Sequence, residues 1–268
     1  MSGRLAGKTA IVVGAGQTVG ETMGNGRATA MLFAREGARV LLVDRDADSM
    51  QETLDRIEAE VPGSATTFVA DIVHEEQCQA IVARAREHFD GRIDVLHNNV
   101  GIGAGDGGPT TLDAAAWDRI IDVNLKAMWL TCKHVVPVMR ERGAGAIVNI
   151  SSVAAVAGVG NLTAYKISKA GVNALTHALA VTNARFGIRA NAIMPGLIDT
   201  PMAVDATARA RGVAREDVAA ARARVVPLGH QGTAWDIAHA ALFLASDEAA
   251  FITGVVLPVD GGQAAAVG

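Results

Sequence analysis

The chain has 268 residues, half of them apolar, and a net charge of −4 at neutral pH. That is enough apolar surface for one sizeable core, and with no dense Lys/Arg tract neither nucleic acid nor an anionic membrane is an expected partner. Cys78 and Cys132 stand far apart in no metal or redox spacing, which fits a reducing compartment, and no stretch is long and apolar enough to span a bilayer.

Met1–Lys8 carries Arg4 and Lys8 but no apolar segment or cleavage site, so it is not expected to be a signal peptide, and a cytoplasmic location follows. The first apolar run, Ala10–Val13, reads as a strand. Gly14-Ala15-Gly16 follows it, and Gly24-Asn25-Gly26 opens a helix over Arg27–Glu36 that Gly37 closes. Glycines between a strand and a helix let the backbone approach a pyrophosphate, which the helix N-terminus favours. Val40–Val43 is the next strand, and Asp44 stands at its end, where a carboxylate can accept both hydroxyls of an adenosine ribose and repel a 2′-phosphate. NAD is therefore expected over NADP, with the adjacent Arg45 keeping NADP open.

A helix is expected over Ala47–Glu60, a strand at Thr66–Ala70, a helix over Glu75–Phe89 and a strand at Val95–Leu96. Gly101–Thr110 is glycine-dense and reads as a loop beyond a strand end. A long helix over Ala115–Arg142 precedes a strand at Ala146–Ile150, and Ala164–Phe186 is helical up to Gly187. Strands at Ala190–Met194 and Val255–Val259 flank a helix over Trp235–Ala245. Leu197–Pro227, long and threaded with Ala and Arg, reads as one or two short helices forming a lid. Repeated strand–helix alternation with strands apolar on both faces predicts a Rossmann-like doubly wound parallel sheet of about seven strands with helices on both faces. No linker or repeat interrupts it, so a single domain over residues 1–268 is expected.

Tyr165, the only tyrosine, lies four residues before Lys169 and thirteen after Ser152. Residues four apart share a helix face, so Lys169 is expected beside the phenol, lowering its pKa and fitting it for proton exchange near neutrality. The seven histidines form no close ligand grouping, so no metal site is expected; His97, on a strand, reads as structural.

These stretches together resemble the short-chain dehydrogenase/reductase family over essentially the whole chain. The resemblance rests on the glycine loop, Asp71-Ile72, Asn98-Asn99-Val100-Gly101, Asn124, Ser152, Tyr165-x-x-x-Lys169, Pro195-Gly196 and Ile252-Thr253-Gly254 with Val259-Asp260-Gly261-Gly262. It implies reversible hydride transfer between a nicotinamide and a secondary alcohol or ketone. In that scheme Tyr165 exchanges the proton, Lys169 lowers its pKa and bonds the nicotinamide ribose, Ser152 positions the substrate oxygen, and Asn124 holds a water linking Lys169 to solvent. The thirteen-residue spacing selects Ser152 over Ser151, and Lys166 and Ser168 are read as bystanders. The resemblance also implies adenine contacts from Asp71 and Ile72, a bracing role for Asn98 beside Val100 and Gly101 in the cofactor site, and carboxamide contacts from Ile198 and Thr200 after Pro195-Gly196.

One departure concerns the cofactor loop. Thirty residues separate Gly14 from Asp44, against about 24 in the family and roughly 20 in the general fingerprint. The surplus is placed as an extra loop at Gln17–Met23, either folded over the pyrophosphate, packed on a neighbouring subunit, or left as a surface bulge. The rival placement keeps Gly14, Gly16 and Gly20 in the loop and leaves Gly24 and Gly26 inside the helix, where each costs about 1 kcal/mol.

Substrate contacts are expected from Ala154, Leu162 and Met202, apolar by type, which suggests a neutral substrate; Arg209, Arg211, Arg215, Arg222 and Arg224 are read as a solvated lid face. The long helices resemble the family's dimer interface and imply a homotetramer. A 3-oxoacyl-thioester reductase and, from a different class, a non-catalytic NAD-sensing protein are the alternatives.

Overall fold

A computed structural model describes residues 3–157 and 160–266; Met1 and Ser2 of the N-terminal stretch lie outside them. Seven strands form one sheet: β1 Thr9–Val13, β2 Arg39–Asp44, β3 Ala65–Val69, β4 Val95–Asn98, β5 Gly145–Ile150, β6 Ile188–Pro195 and β7 Val256–Val259. Their order is β3-β2-β1-β4-β5-β6-β7, with every pairing parallel. Strand order therefore reverses between β1 and β4, and ligands in such sheets bind beyond the strand C-termini at that switch point.

The helices are α1 Asn25–Arg35, α2 Ala47–Glu60, α3 Glu75–His88, α4 Ala114–Ile121, α5 Ala127–Arg142, α6 Thr163–Asn183, α7 Ala206–Arg211, α8 Arg215–Ala223 and α9 Ala234–Ala245. Because successive strand residues face opposite sides, β1 feeds two cores. Ala10 and Val12 join α1, α2 and α9 on one face, and Ile11 and Val13 join α3, α5 and α6 on the other. The helix expected over Ala115–Arg142 is continuous but changes pitch, passing through a π-helical turn at Asp122–Lys126 between α4 and α5. The lid carries two short helices, α7 and α8, after a second π turn at Pro201–Asp205. The insertion is a loop: α1 begins at Asn25, with Gly24 as its N-cap and Gly26 in its first turn, so the helix is not lengthened N-terminally as the rival placement requires.

His97 sits in β4 fully buried, edge-on to Phe33 at 6.1 Å between ring centroids. Neither ring nitrogen has a hydrogen-bond partner among the described residues, and burial pushes the imidazole down to about 3. The unfolded chain takes up that proton near the ordinary value of about 6.5, whereas the folded chain does not. Stability is therefore expected to fall as pH drops from about 6.5 towards 3, by on the order of several kcal/mol in total. Urea denaturation at neutral and acid pH, repeated with His97→Leu, measures this; the variant should lose most of the acid dependence that the imidazole contributes.

Candidate active site

The sheet register brings Val13, Asn98 and Asn149 level at the C-terminal edge of β1, β4 and β5. Beyond it the chain turns at Gly14, whose φ of 83° is in the left-handed region that glycine tolerates. The Gly14 and Ala15 amides donate to the Val43 carbonyl at 2.8 and 3.1 Å, and Asn99 Nδ2 donates to the Gly14 carbonyl at 3.1 Å. Asp44 at the end of β2 accepts the Gly16 amide on Oδ2 at 2.9 Å and the Asp46 amide on Oδ1 at 3.1 Å. Arg45 beside it is exposed.

Gly24 is the N-cap of α1 and offers no side-chain cap, and the first turn holds no acidic residue. Asn25 Oδ1 is buried without a partner. An uncapped helix start and a carboxylate at the β2 end fit a dinucleotide, with the diphosphate at the helix N-terminus and the ribose at Asp44, while the unpartnered Asn25 oxygen can accept from a hydroxyl.

The other expected cofactor residues are distributed unevenly. Asp71 turns back on its own loop, its amide bonded to Gln77 Oε1 at 2.6 Å and its Oδ1 accepting the Val73 amide at 3.2 Å; Ile72 is buried beside it. Asn98 is buried, donating to Asn149 Oδ1 at 2.9 Å and accepting from Thr131 Oγ1 at 2.9 Å. Its side chain thus braces β4, β5 and α5, as the bracing role expected of it requires. Val100 packs against Gly14, and a Cβ on Gly101 would lie 2.9 Å from Lys169 Nζ, so the turn and the lysine adjoin. Pro195 ends β6, the Gly196 amide donates to the Val259 carbonyl at 3.0 Å, Ile198 bridges to Gly232, and Thr200 is buried at the start of the lid.

Ser152, Tyr165 and Lys169 converge beyond β5. Lys169 is buried on α6, and its Nζ lies 5.8 Å from the Tyr165 ring centroid. That ammonium donates to the Ile150 carbonyl at 2.9 Å, and burial pushes it down to about 8. The phenol differs from expectation: burial pushes Tyr165 up from its ordinary value, against which its hydrogen bond with Ser152 pulls down. Desolvation governs the phenol, and the proton of Lys169 is directed at a strand carbonyl.

Ser151 donates to the Lys169 carbonyl at 3.0 Å, a packing role distinct from that of Ser152. Ala154 is buried, its amide donating to Ser152 Oγ at 3.2 Å; Leu162 is the N-cap of α6, and Met202 is half exposed on the lid.

Asn124 lies in the π turn, a frequent device at functional sites. Its side chain accepts the Ile102 amide at 2.7 Å and donates to the Ile102 carbonyl at 2.8 Å and to Ser168 Oγ at 3.1 Å. Both of its amide hydrogens are committed to protein, so the side chain ties loop to helix.

Four residues take parts the sequence did not assign. Ser168, read as a bystander, links Asn124 to the Tyr165 carbonyl, to which it donates at 2.7 Å. Asp106 caps α6 from the glycine-dense loop, accepting the Tyr165 amide at 2.7 Å and the Ala164 amide at 3.1 Å; only its acidity within that loop hinted at this. Arg215, read as part of a solvated face, turns inward to Asp199 at 2.5 Å, and Arg222 likewise donates to Gln231 Oε1 at 2.7 Å. Among the described residues no group of three His, Cys, Asp or Glu side chains is placed to hold a metal, and no helix is long and apolar enough to cross a membrane.

Comparison with known proteins agrees with this geometry. A family model described as enoyl-(acyl carrier protein) reductase matches residues 19–264. Levodione reductase of Leifsonia aquatica is 36% identical over 98% of this chain and 96% of that protein. The crystal structure of levodione reductase superposes with a TM-score of 0.92 at 36% identity, over 98% of this chain and 100% of that one. Cis-4-hydroxycyclohexanecarboxylate dehydrogenase of Sinomonas cyclohexanicum is 38% identical over 99% of this chain and all of that protein. The 3-oxoacyl-[acyl-carrier-protein] reductase of Thermotoga maritima is 37% identical over 97% of this chain and 98% of that protein.

Proposed function

The chain belongs to the short-chain dehydrogenase/reductase family and is an NAD(P)-dependent oxidoreductase of CH–OH groups, and on that premise we propose that it interconverts a neutral secondary alcohol and its ketone with NAD(H). The observation that carries the reading is the unbroken line from the Gly14 turn through Gly101 to Lys169, Tyr165 and Ser152, which sets a proton-exchanging phenol beside the cofactor cradle. Tyr165 gives its hydroxyl proton to the substrate oxygen in reduction and takes one in oxidation. Ser152 holds that oxygen and stabilises its developing charge. Lys169 supplies a positive charge favouring the phenolate, and Asn124, Ser168 and Asp106 hold the loop and helix that carry these groups. When bound, the nicotinamide supplies the two-electron exchange with the substrate carbon. Gly14, Gly16, Gly24, Asn25 and Gly26 would hold the diphosphate, Asp44 the adenosine ribose, Asp71 and Ile72 the adenine, and Ile198 and Thr200 the carboxamide.

A hydroxyl on a small apolar ring suits Ala154, Leu162 and Met202; the named substrate of the Sinomonas relative shares the ring hydroxyl but adds a carboxylate. The likeness to the Thermotoga reductase supports 3-oxoacyl thioesters as a second reading. We place the protein in the cytoplasm as a single-domain homotetramer; exposed Trp129 on α5, Ile167 and Val181 on α6, and Phe251 supply apolar faces for such contacts.

Nicotinamide absorbance over cyclic alcohols, ketones and 3-oxoacyl thioesters, under NAD(H) and NADP(H), tests the reading; silence with every substrate while NAD still binds would favour the sensor. Asp44→Asn keeps an acceptor for the Gly16 amide while removing the charge, so it is expected to narrow discrimination against NADP by about tenfold or more. Fluorescence titration with both reduced cofactors measures it, and a wild type that prefers NADP would overturn the role of Asp44.

A further inference from the structure

The inserted loop is built, and it reaches the lid. Gln17 closes it from within, its Oε1 accepting the Gly24 amide at 2.9 Å and its Nε2 donating to the Thr22 carbonyl at 3.2 Å. Ser49 on α2 anchors the same residue, accepting the Gln17 amide at 2.8 Å and donating to its carbonyl at 2.9 Å. From this base the loop tip crosses to the far side of the cofactor cradle. The Glu21 amide donates to Asp205 Oδ1 at 3.0 Å, Thr22 Oγ1 to Asp199 Oδ1 at 3.4 Å, and Arg209 Nη2 to the Val19 carbonyl at 3.0 Å. A Cβ on Gly20 would fall 2.6 Å from the Asp205 carboxyl carbon, so the tip and lid are in close contact.

Three carboxylates meet there around one inward cation. Arg215 Nη2 bonds Asp199 Oδ1 at 2.5 Å, while its Nε faces Asp205 Oδ2 at 3.5 Å and Glu21 Oε2 at 3.7 Å. Arg215 is 17% exposed and Asp205 7%. Removing the guanidinium would leave three like charges clustered, two of them shielded from water, and such a cluster relaxes by moving apart. Asp199 lies between Ile198 and Thr200, so this cation fixes the segment assigned above to the carboxamide end of the cofactor as well as the loop at its diphosphate end.

We propose that Arg215 is a positioning residue that latches the inserted cofactor loop to the lid, so that the two ends of the dinucleotide site are held in register and the cofactor is retained. The proposal rests on the dinucleotide reading above. Retention would then be a joint property of residues 17–24 and 199–215, and breaking either side should cost the same.

The ideal Cβ position of Gly24 is 3.8 Å from Gln17 Cα, so the ends of the insertion adjoin and Thr18–Met23 can be excised by joining Gln17 to Gly24. The experiment compares wild type, Arg215→Ala, Arg215→Lys, the excision and the Arg215→Ala/excision double variant. Stopped-flow fluorescence reads NADH dissociation, and amide hydrogen exchange reads residues 199–211 in the cofactor-free proteins. Dissociation is expected to be about tenfold faster in either Arg215→Ala or the excision, no faster in the double variant, and intermediate in Arg215→Lys, which keeps the charge but not the fork. Exchange in 199–211 should accelerate in the excision although no residue of that segment has changed. Unchanged dissociation, additive effects in the double variant, or a lid indifferent to the excision would overturn the latch. A wild type that binds neither NADH nor NADPH would overturn the dinucleotide reading, and the exchange comparison would still decide whether loop and lid are coupled.

Discussion

Replacing Tyr165 with phenylalanine is expected to lower turnover by about 10²–10⁴-fold while leaving NADH affinity and thermal stability unchanged. The substitution removes one hydroxyl and nothing else that holds the site. The ring stays against Gly103, whose Cβ position would be 3.5 Å from Cδ2, and the start of α6 is fixed through backbone amides by Asp106. Loss confined to kcat would mark an interaction made in the transition state, whereas loss of cofactor affinity would mean the ring itself orders the cradle. Because Tyr165 is the only tyrosine, its ionisation can be followed directly in the ultraviolet without interference from another phenol. In the ligand-free protein the phenolate band should develop above the ordinary tyrosine range, since burial dominates and the Ser152 hydrogen bond only opposes it. A band developing below that range would show that Lys169 governs the phenol even without cofactor. Full turnover by the phenylalanine variant would remove Tyr165 from the proton path altogether.

The sheet was legible because parallel strands buried on both faces leave continuous apolar runs: Val40–Val43 and Ala146–Ile150 can hardly be anything else. The lid's two short helices fell within the alternatives open there. The π turn at Asp122–Lys126 was not legible, because the apolar pattern continues through it and the bonds that Asn124 makes from it to Ile102 join residues 22 apart. Likewise the spacing from Gly14 to Asp44 revealed an insertion but not its destination, which is set by contacts 177 to 190 residues away. Arg215 shows the same limit. Among the lid's alternating Ala and Arg it carries no mark that it turns inward, and only the fold brings Glu21, Asp199 and Asp205 to it. The Tyr165–Lys169 spacing was visible in one helix face, but the direction in which the phenol shifts depends on burial, a property of the assembled core.

Gly26→Ala should be the most damaging single methyl in the cofactor loop. Its Cβ would stand 1.8 Å from the Gly14 carbonyl oxygen and 2.7 Å from Asn99 Nδ2. The first obstacle is backbone, so no rotamer relieves it; the first turn of α1 must back away from the Gly14 turn, taking the Asn25 oxygen and the free helix-start amides with it. Overpacking of this kind costs about 1–3 kcal/mol and more where the backbone must move, and the diphosphate donors would lose their alignment as well. A drop in NADH affinity of about 100-fold or more is expected together with a lower melting temperature. Gly24→Ala provides the contrast, since its Cβ would meet Gln17 Cβ at 2.8 Å, a less severe overlap than the 1.8 Å to a backbone oxygen at Gly26. It should weaken binding far less. Equal effects from the two would mean that the whole loop moves as one body on substitution. The expected inequality would show that the helix start at Gly26, displaced along the sequence by the insertion, carries the close approach on which the cofactor cradle depends.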